Sequence, residues 1–550
     1  MTILETSASV SNQPLLSVES LSVSFNRQAK AVDAISFAIY PGETFALVGE
    51  SGSGKSMTAL SVLRLLPVNA QLTMDSLLFN GEDLRQKTER AYCALRGRRI
   101  GLIFQDPMSS LNPVMTIGQQ IEESISTHFS LAKELLRQRV LQLLQQVEMP
   151  DPEQRINDYP HQLSGGQRQR VMIAMALAAK PDLLIADEPT TSLDVTIQAQ
   201  ILALLKSLQR QTGMALWLIS HDLALVSTLA DRVAVMQRGK IVETGPAVTL
   251  FNQPQHAYTR QLLQALPSIQ HAGQHNKTYC FAVEEQPALL RVSDMKVYYP
   301  IRKGLFKRVA DHVRAVDGVS FTLQAGKTLA LVGESGCGKT TLGKSLLNLI
   351  PATAGQVQLE GVELTALSGE ALRQKRAAMQ IIFQDPFSSM NPRMLVNDVI
   401  VEGLRALQPE ISATERQAKV RKLLHQVGLP EDSGLRYPHE FSGGQRQRIC
   451  IARALAVEPK LLVCDEPTSA LDVSVQAQII QLLQRLQQEQ GISYLFITHD
   501  LAVVAEIADE VAVMYRGRII EQGAVEQVLK QPEHPYTRKL VQAAPVLKTM

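Results

Sequence analysis

The chain has few cysteines for its length, and their spacing matches no structural role. Five are spread over 550 residues, and no two form a Cys-x-x-Cys pair. That distribution excludes a disulfide framework and a zinc site, and it is typical of a protein in a reducing cytosol. The five are Cys93, Cys280, Cys337, Cys450 and Cys464.

An excess of charge of one sign is also missing. The sequence has 55 Lys and Arg against 53 Asp and Glu, a formal net charge of +2. This balance argues against a globally basic nucleic-acid binder, although local basic patches stay open. Hydrophobic residues make up 45% and charged residues 20% of the chain, which excludes extensive disorder and allows a packed core.

Long hydrophobic runs are absent as well. The longest, at 171–179, is well short of the roughly 18 apolar residues that a membrane span requires. Residues 1–15 lack the basic stretch and apolar segment of a signal peptide. We therefore expect a soluble cytoplasmic protein, or one that is peripheral to a membrane.

An internal repeat dominates the sequence. Lys339 lies 284 positions after Lys55, and Asp465 lies 278 positions after Asp187. The motifs that come later in each half recur at the same offset of 278. The repeat predicts two homologous halves, 15–267 and 289–550, joined by a polar linker at 268–288. The repeated pairs are Gly49–Ser56 with Gly333–Thr340, Phe104–Pro107 with Phe383–Pro386, Ser164–Arg168 with Ser442–Arg446, Ala186–Pro189 with Cys464–Pro467, and Ser220–Asp222 with Thr498–Asp500.

Each half contains a glycine-rich loop between a strand-like apolar run and a predicted helix. The pattern Gly-x-x-x-x-Gly-Lys-Ser/Thr is that of a phosphate-binding P-loop, whose backbone N–H groups and lysine face phosphate oxygens. It predicts an α/β fold with a parallel sheet, and an ATP site formed by Gly49, Glu50, Ser51, Gly52, Ser53, Gly54, Lys55 and Ser56, and by Gly333, Glu334, Ser335, Gly336, Cys337, Gly338, Lys339 and Thr340.

Acidic and histidine side chains follow other apolar runs. Asp187 and Asp465 end such runs, and we expect them to hold Mg²⁺ with the hydroxyls of Ser56 and Thr340. The next residues, Glu188 and Glu466, would point the opposite way along the strand and act as general bases.

A histidine follows a third apolar run in each half. His221 and His499 are candidates for contact with the γ-phosphate. A lone histidine at a strand end is more often structural, but this one recurs at the same offset as the Asp-Glu pair. Helices rich in Leu, Gln and Glu are expected between sheet elements at 114–149.

The stretches Leu163–Gln167 and Phe441–Gln445, taken with the loops and acids above, resemble the ATP-binding-cassette family. The resemblance implies two tandem cassettes, each with a parallel-sheet core, an antiparallel β portion and a helical subdomain. It also implies that a helix N-terminus in each half caps ATP bound to the opposite half, head to tail. Those residues are Ser164, Gly165, Gly166 and Gln167, and Ser442, Gly443, Gly444 and Gln445.

The same resemblance assigns roles to four further residues. Gln105 and Gln384 would take part in catalysis, contact Mg²⁺ and link chemistry to motion of a membrane permease. Phe25 and Tyr299 match the aromatic that stacks on adenine, with a core aromatic as the alternative. Because neither half has lost its Lys, Asp, Glu or His, both sites are expected to hydrolyse ATP.

Other stretches narrow the resemblance to importers of dipeptides, oligopeptides, glutathione or nickel. They are Gln105–Pro113 with Gln384–Pro392, Tyr159–Leu163 with Tyr437–Phe441, and Pro254–Thr259 with Pro532–Thr537. We expect an ATPase that energises peptide import at the cytoplasmic face of a bacterial inner membrane. Its partners would be two permease subunits and a periplasmic binding protein, without nucleic acid. A nickel or metal-chelate importer is the alternative, and a soluble translation factor a more distant one.

Overall fold

A computed structural model describes most of the chain, namely residues 13–25, 29–190, 193–267, 269, 272, 288–303, 308–469 and 471–544. The described residues divide into two compact units, one of 13–193 with 197–265 and the other of 194–196 with 266–544. The predicted linker at 268–288 lies almost wholly outside the described residues. The strand that follows begins at Ala288, the last residue of that predicted linker.

The first half alternates strands and helices along the described chain. Its strands are β1 (Leu16–Phe25), β2 (Ala29–Ile39), β3 (Thr44–Val48), β4 (Ala70–Thr73), β5 (Ser76–Phe79), β6 (Glu82–Asp83), β7 (Ile100–Ile103), β8 (Leu183–Asp187), β9 (Ala215–Ser220), β10 (Arg232–Gln237) and β11 (Lys240–Pro246). Its helices are α1 (Lys55–Val62), α2 (Glu89–Leu95), α3 (Pro107–Ser110), α4 (Ile117–Ser126), α5 (Lys133–Gln146), α6 (Pro152–Arg155), α7 (Gly165–Ala176), α8 (Val195–Thr212), α9 (Leu223–Leu229), α10 (Ala247–Asn252) and α11 (Ala257–Gln264).

The second half repeats this order with small differences in its loops. Its strands are β12 (Ala288–Lys303), β13 (Arg308–Gln324), β14 (Thr328–Val332), β15 (Ala354–Leu359), β16 (Val362–Glu363), β17 (Met379–Ile382), β18 (Leu461–Asp465), β19 (Ser493–Thr498), β20 (Glu510–Tyr515) and β21 (Arg518–Ala524). Its helices are α12 (Lys339–Leu346), α13 (Gly369–Ala377), α14 (Val396–Leu407), α15 (Ala413–Gln426), α16 (Gly443–Leu455), α17 (Val473–Gln490), α18 (Leu501–Ile507), α19 (Val525–Lys530) and α20 (Pro535–Ala543).

A mainly parallel sheet forms the centre of each unit. The strand order is β11-β10-β3-β9-β8-β7 in the first unit and β17-β18-β19-β14-β20-β21 in the second. The central strands β3, β8 and β9 are buried along their whole length, as expected for parallel strands covered on both faces. The carboxyl ends of these strands meet at one edge, where the loops after β3, β8 and β9 lie together.

Each unit also has an antiparallel sheet and a helical portion. The antiparallel order is β2-β1-β5-β6 in the first unit, with β4 paired to β1, and β13-β12-β15-β16 in the second. In the first unit, helix α4 begins at a capping box of Thr116 and Gln119, and it packs on α7 with its buried Ile117, Ile121 and Ile125. The predicted α/β class, with antiparallel and helical portions, is confirmed.

The described residues include no helix that is both long enough and apolar enough to cross a membrane.

Each unit buries a hydrophobic core of its own. In the first unit the only tryptophan of the sequence, Trp217 on β9, is fully buried, and its ring centroid lies 5.1 Å from that of Phe37. Leu205 on α8 and Leu483 on α17 occupy equivalent buried positions in the two halves, at 1% and 0% exposure. Fluorescence of Trp217 should therefore report on the packing of the first unit alone.

This separation of cores predicts distinct effects for two matched substitutions. Leu483→Ala should destabilise the second unit by about 2–5 kcal/mol through the lost contacts and the cavity. The denaturant midpoint followed by circular dichroism should fall, while the midpoint followed by Trp217 fluorescence should stay within error. Leu205→Ala should instead lower the fluorescence midpoint. Equal shifts of the fluorescence midpoint in both variants would contradict separate cores.

Candidate active site

The loop between β3 and α1 wraps tightly because its first glycine admits no side chain. Gly49 has φ 154°, and a Cβ atom placed on it would lie 2.2 Å from the carbonyl oxygen of Met236 on β10. Gly333 is in the same position, with φ 153° and a distance of 2.2 Å to the carbonyl oxygen of Met514. The loop therefore packs directly against the backbone of the neighbouring strand, and only a glycine fits at this turn.

The lysine of this loop is buried and held by the loop's own carbonyl groups. Lys55 is 5% exposed, and its Nζ donates to the carbonyl oxygens of Gly49 at 2.8 Å and Glu50 at 2.9 Å. Lys339 donates at 2.6 Å to Gly333 and at 3.0 Å to the equivalent glutamate. A buried ammonium needs such acceptors, and phosphate oxygens arriving in the loop would offer stronger ones.

The remaining loop residues present backbone N–H groups at a helix start. Gly54 and Gly338 take left-handed conformations, with φ 105° and 110°, directly before α1 and α12. Ser53 and Cys337 fill equivalent buried positions, and burial raises the pKa of the Cys337 thiol, which disfavours the reactive thiolate. Both halves thus have the same loop conformation at a helix N-terminus, and phosphate binding there stays a prediction.

A hydroxyl and a carboxylate meet beside each loop. Ser56 Oγ donates to Asp187 Oδ1 at 3.0 Å, and Thr340 Oγ1 donates to Asp465 Oδ1 at 2.9 Å. Burial raises the pKa of Asp187 to about 6 and also raises that of Asp465. A bound cation would relieve this cost of burying a carboxylate.

These residues suit a magnesium ion that is also bound by water and phosphate better than a metal ion bound by protein ligands alone. In the part of the chain that the structure describes, no group of three or more His, Cys, Asp or Glu side chains is placed to hold a metal. Mg²⁺ keeps several waters and commonly uses one or two carboxylates together with substrate phosphates. The pairs Ser56 with Asp187 and Thr340 with Asp465 supply that kind of partial site.

Three side chains predicted separately come together at the next acid. In the first half, Gln105 Nε2 donates to Glu188 Oε2 at 2.9 Å, and His221 Nδ1 lies 3.1 Å from Glu188 Oε1. In the second half the corresponding distances to Glu466 are 2.8 Å from the glutamine and 3.1 Å from the histidine. Each glutamate is therefore oriented by partners on both of its oxygens.

The turn of the backbone, and not strand alternation, orients these glutamates. Strands β8 and β18 end at Asp187 and Asp465, and the next residues adopt left-handed backbone with φ 46° at Glu188 and 47° at Glu466. Such a conformation is uncommon for a residue with a side chain. We predicted that strand alternation would point each glutamate away from the preceding aspartate. That explanation was wrong, because the turn of the backbone after the strand separates the two side chains.

Charge within this cluster favours an ionised carboxylate. Burial alone would raise the pKa of Glu466, but the hydrogen bond and charge of His499 and the charge of Lys339 outweigh it and lower the pKa. Burial likewise opposes ionisation of His221 and His499, yet the adjacent glutamate raises the pKa of both. A carboxylate held in this form can accept a proton from water.

The Ser-Gly-Gly stretches form capped helix N-termini. Ser164 Oγ accepts from Gln167 N at 3.3 Å, and Gln167 Oε1 accepts from Ser164 N at 3.0 Å; Ser442 and Gln445 repeat this capping box. Each serine therefore caps its own helix. It leaves the serine hydroxyl able to donate to an anion, since a hydroxyl accepts and donates at once.

The second glycine of each stretch has a packing role that the sequence did not reveal. A Cβ atom on Gly166 would lie 2.6 Å from Ile197 Cγ2, and one on Gly444 would lie 2.3 Å from Val475 Cγ1. These glycines allow the capped helix to approach the next long helix. Gly165 and Gly443 have more room, since the nearest atoms to a Cβ there lie at 3.3 Å and 3.7 Å.

The two predicted adenine-stacking aromatics differ in their surroundings. Phe25, at the end of β1, packs partly buried against the core of the first unit. Tyr299 on β12 is 40% exposed. Exposure of this kind suits a stacking role for Tyr299, whereas the packing of Phe25 favours the core alternative; stacking stays a prediction at both positions.

Residues that the sequence reasoning left without a role also reach the loop. Tyr258 on α11 and Tyr536 on α20 place their hydroxyls against the backbone of Glu50 and Glu334. The signal was present in the repeated His-x-Tyr-Thr tetrapeptide near the end of each half. The contact itself could not be predicted, because a sequence does not show which distant residue a tyrosine in a tail will meet.

Two protein-family models each match a region in both halves of the chain. A model described as "ABC transporter" matches residues 32–191 and 316–469, and one described as "Oligopeptide/dipeptide transporter, C-terminal region" matches 242–293 and 520–549. The first covers the loop, acid and capped-helix motifs of both halves. The second covers the tails that contain the two tyrosines.

Similar proteins align over nearly the full length. One is 51% identical over 97% of this chain and 96% of its own length, and is named peptidoglycan transport ATP-binding protein YejF, from Agrobacterium fabrum. Another is 47% identical over 97% of this chain and 90% of its own, and is named glutathione import ATP-binding protein GsiA, from Pectobacterium atrosepticum. A third, 48% identical over 96% of this chain and 99% of its own, is an uncharacterised ABC transporter ATP-binding protein from Escherichia coli.

The clustered glutamates generate a direct prediction. Glu188→Gln combined with Glu466→Gln should lower the rate of ATP hydrolysis by about 10²-fold or more, since an amide cannot take a proton from water. Equilibrium binding of ATP should remain, because the P-loop lysines and backbone are untouched. Steady-state phosphate release and binding of a fluorescent ATP analogue measure the two effects.

The exposed Glu153 supplies a matched control for this pair. Glu153→Gln makes the same chemical change on α6 and should leave hydrolysis within about twofold, as surface substitutions usually do. Hydrolysis at a near-normal rate in the double variant would remove Glu188 and Glu466 from the role of general base.

Proposed function

We propose that this chain, which belongs to the ABC transporter family, is the ATP-hydrolysing subunit that energises peptide import through a separate permease. The observation that carries the proposal is the duplicated cluster at the sheet edge. Each half holds a buried P-loop lysine, a hydroxyl–aspartate pair, and a glutamate bridged by glutamine and histidine. Neither set has lost a member, so both are assigned to hydrolysis.

Each side chain has a definite task in this scheme. Lys55 and Lys339 would transfer their hydrogen bonds from loop carbonyls to the β- and γ-phosphates of ATP. Glu188 and Glu466 would accept a proton from the attacking water while the adjacent histidine holds their orientation. Bound Mg²⁺ would neutralise phosphate charge, with Ser56, Thr340, Asp187 and Asp465 as its protein partners and Gln105 and Gln384 nearby.

The glutamine loops suit a link to a permease. Gln105 and Gln384 contact the catalytic glutamates. An exposed aromatic side chain lies near each of them: Phe104, at 46% exposure, directly before Gln105, and Phe387, at 51% exposure, three residues after Gln384. Single exposed aromatic side chains are common on protein surfaces, so the support for a permease contact is the hydrogen bond of each loop to its catalytic glutamate. We assign two integral-membrane permease subunits to these loops, and a periplasmic binding protein as the source of substrate.

The two halves are proposed to complete each other's sites, head to tail. Ser164 and Ser442 are exposed at capped helix N-termini, where N–H groups and the helix dipole attract anions. ATP held by Lys55 would then be capped by Ser442, and ATP held by Lys339 by Ser164. Binding of ATP would favour the closed pair of halves, and hydrolysis would release it.

Peptides are the substrate class best supported by the similarities. The tail model carries an oligopeptide and dipeptide description, and relatives are named for glutathione and for peptidoglycan transport. We accordingly place the chain peripherally at the cytoplasmic face of a bacterial inner membrane. The halves 15–267 and 289–550, with the linker 268–288, remain our proposed domain division.

The head-to-tail arrangement predicts a crosslink that depends on nucleotide. Ser51 is exposed on the first P-loop and Ser442 is exposed on the second capped helix, so cysteines at both should join more readily with ATP. The native cysteines are first replaced, with Cys337→Ser copying Ser53 of the other half. Gel mobility after mild oxidation measures the yield.

A pair within one half is the matched control for this crosslink. Cysteines at Ser51 and Ser164 share the chemistry but belong to the same half, and their yield should not rise with ATP. An ATP-dependent rise for Ser51 with Ser164, and none for Ser51 with Ser442, would contradict head-to-tail sites.

The import function predicts a loss of uptake in cells without the chain. Labelled dipeptide, oligopeptide, glutathione and nickel are offered in parallel, and at least one peptide should enter more slowly. The native chain should restore uptake, while Lys55→Ala with Lys339→Ala should not, because neither P-loop could stabilise the transferred phosphate. Lys133→Ala with Lys539→Ala changes two exposed lysines and should restore uptake fully.

The pattern across substrates decides between the candidate functions. Loss of nickel uptake alone would contradict the peptide assignment and support a metal importer. Unchanged uptake of every substrate, with a defect in protein synthesis, would contradict import and favour a translation factor.

A further inference from the structure

The tail of each half is built around a fixed His-x-Tyr-Thr motif. Helix α11 begins after His256, whose Nδ1 accepts from the backbone N of Tyr258 at 3.2 Å. Helix α20 begins after His534, whose Nδ1 accepts from the backbone N of Tyr536 at 3.1 Å. The histidine thus caps the helix and sets the position of the tyrosine two residues later.

A glutamate on the last strand of each sheet anchors this motif. Glu243 on β11 accepts from the backbone N of Gln255 at 2.8 Å and of His256 at 3.1 Å. Glu521 on β21 accepts from the backbone N of Glu533 and His534 at the same two distances. The tail is therefore tied to the sheet on one side, and its tyrosine projects from a rigid base.

The tyrosine hydroxyl reaches the second residue of the P-loop. Glu50 N donates to Tyr258 Oη at 3.4 Å, and Glu334 N donates to Tyr536 Oη at 3.1 Å. Tyr258 is 6% exposed, so this contact lies in a largely dry environment. The same bond in both halves, between segments about 200 residues apart, is a repeated feature of the fold.

One peptide plane connects this hydroxyl to the catalytic lysine. The carbonyl oxygen of Gly49 accepts from Lys55 Nζ at 2.8 Å, and the N–H of the same peptide, on Glu50, donates to Tyr258. Because a trans peptide is planar, its C=O and N–H point in opposite directions and rotate together. A bond to the N–H therefore fixes the carbonyl that holds the lysine.

The second half holds its tyrosine more firmly than the first. The Tyr536 ring lies 4.3 Å from that of Tyr515, and the guanidinium of Arg516 lies 5.1 Å from the centroid of Tyr515. At the position of Tyr515 the first half has Gln237, which offers no ring. The shorter hydrogen bond at Tyr536 agrees with this extra support.

We propose that Tyr258 and Tyr536 are positioning residues for ATP, each setting the P-loop peptide that orients Lys55 or Lys339. The inference rests on the proposed ATPase function and adds a role for the tail to it. The tyrosine does not contact the reacting atoms. It keeps the loop in the shape that receives phosphate, so less order has to be imposed when ATP binds.

Removal of each hydroxyl tests the proposal without removing the ring. Tyr258→Phe with Tyr536→Phe in the full-length chain should weaken ATP binding and raise the KM for ATP by about 3- to 10-fold, the range expected for one hydrogen bond. The kcat at saturating ATP should change less than twofold, since the catalytic glutamates are untouched. Tyr536→Phe alone should have a larger effect than Tyr258→Phe alone.

Tyr515→Phe is the matched control, because it removes a hydroxyl from the neighbouring ring and leaves that of Tyr536 in place. It should leave the KM and the dissociation constant for a fluorescent ATP analogue unchanged. A purely structural role for the tail tyrosines would instead lower the melting temperature of the nucleotide-free chain with no change in either constant. That result would overturn the proposal.

A second control separates this inference from the proposed function. The native chain must bind and hydrolyse ATP, and Lys55→Ala with Lys339→Ala must lose hydrolysis. If that requirement fails, the ATPase assignment is wrong. If it holds and the two Tyr→Phe changes leave ATP binding unaltered, the assignment stands and the role of the tail tyrosines is refuted.

Discussion

A buried ammonium group, held by backbone carbonyls, is the constraint on which each site depends. Lys55 and Lys339 are both 5% exposed, and a charge so far from water is stable only among well-placed acceptors. The loop must curl to present two carbonyl groups, which requires a glycine at Gly49 and Gly333. The same curl ends at a left-handed glycine, Gly54 or Gly338, directly before the helix whose N-terminus would attract phosphate. Local conformation and ligand chemistry are thus consequences of one charge.

The parallel sheet determines where the acidic residues of the site lie. Strands β3, β8 and β9 end at one edge, so the lysine, the Asp-Glu pair and the histidine meet although they are far apart in sequence. In the second half, burial at this edge raises the pKa of Asp465, while His499 outweighs burial and lowers the pKa of the next residue, Glu466. Two adjacent carboxylates are thereby tuned differently, one toward a cation and one toward a proton.

Much of this arrangement could be predicted, because repeated motifs and apolar runs are local signals. The strand-like stretch 328–332 of the sequence coincides with β14 (Thr328–Val332), and the apolar stretch 183–186 lies within β8 (Leu183–Asp187). The left-handed conformation of Glu188 could not be foreseen, since it depends on the turn after the strand. The partner of Tyr258 could not be predicted either, because a contact between distant segments leaves no periodic pattern in the sequence.

Each chain should hold two equivalent nucleotide sites, each organised by its own P-loop lysine. The most direct measurement is the number of Mg²⁺-ATP molecules bound per chain, by isothermal titration at a temperature where hydrolysis is slow. Two molecules should bind to the native chain, and one to a chain with either Lys55→Ala or Lys339→Ala alone. A single molecule per native chain, or two in both variants, would contradict the presence of two sites that each depend on one lysine.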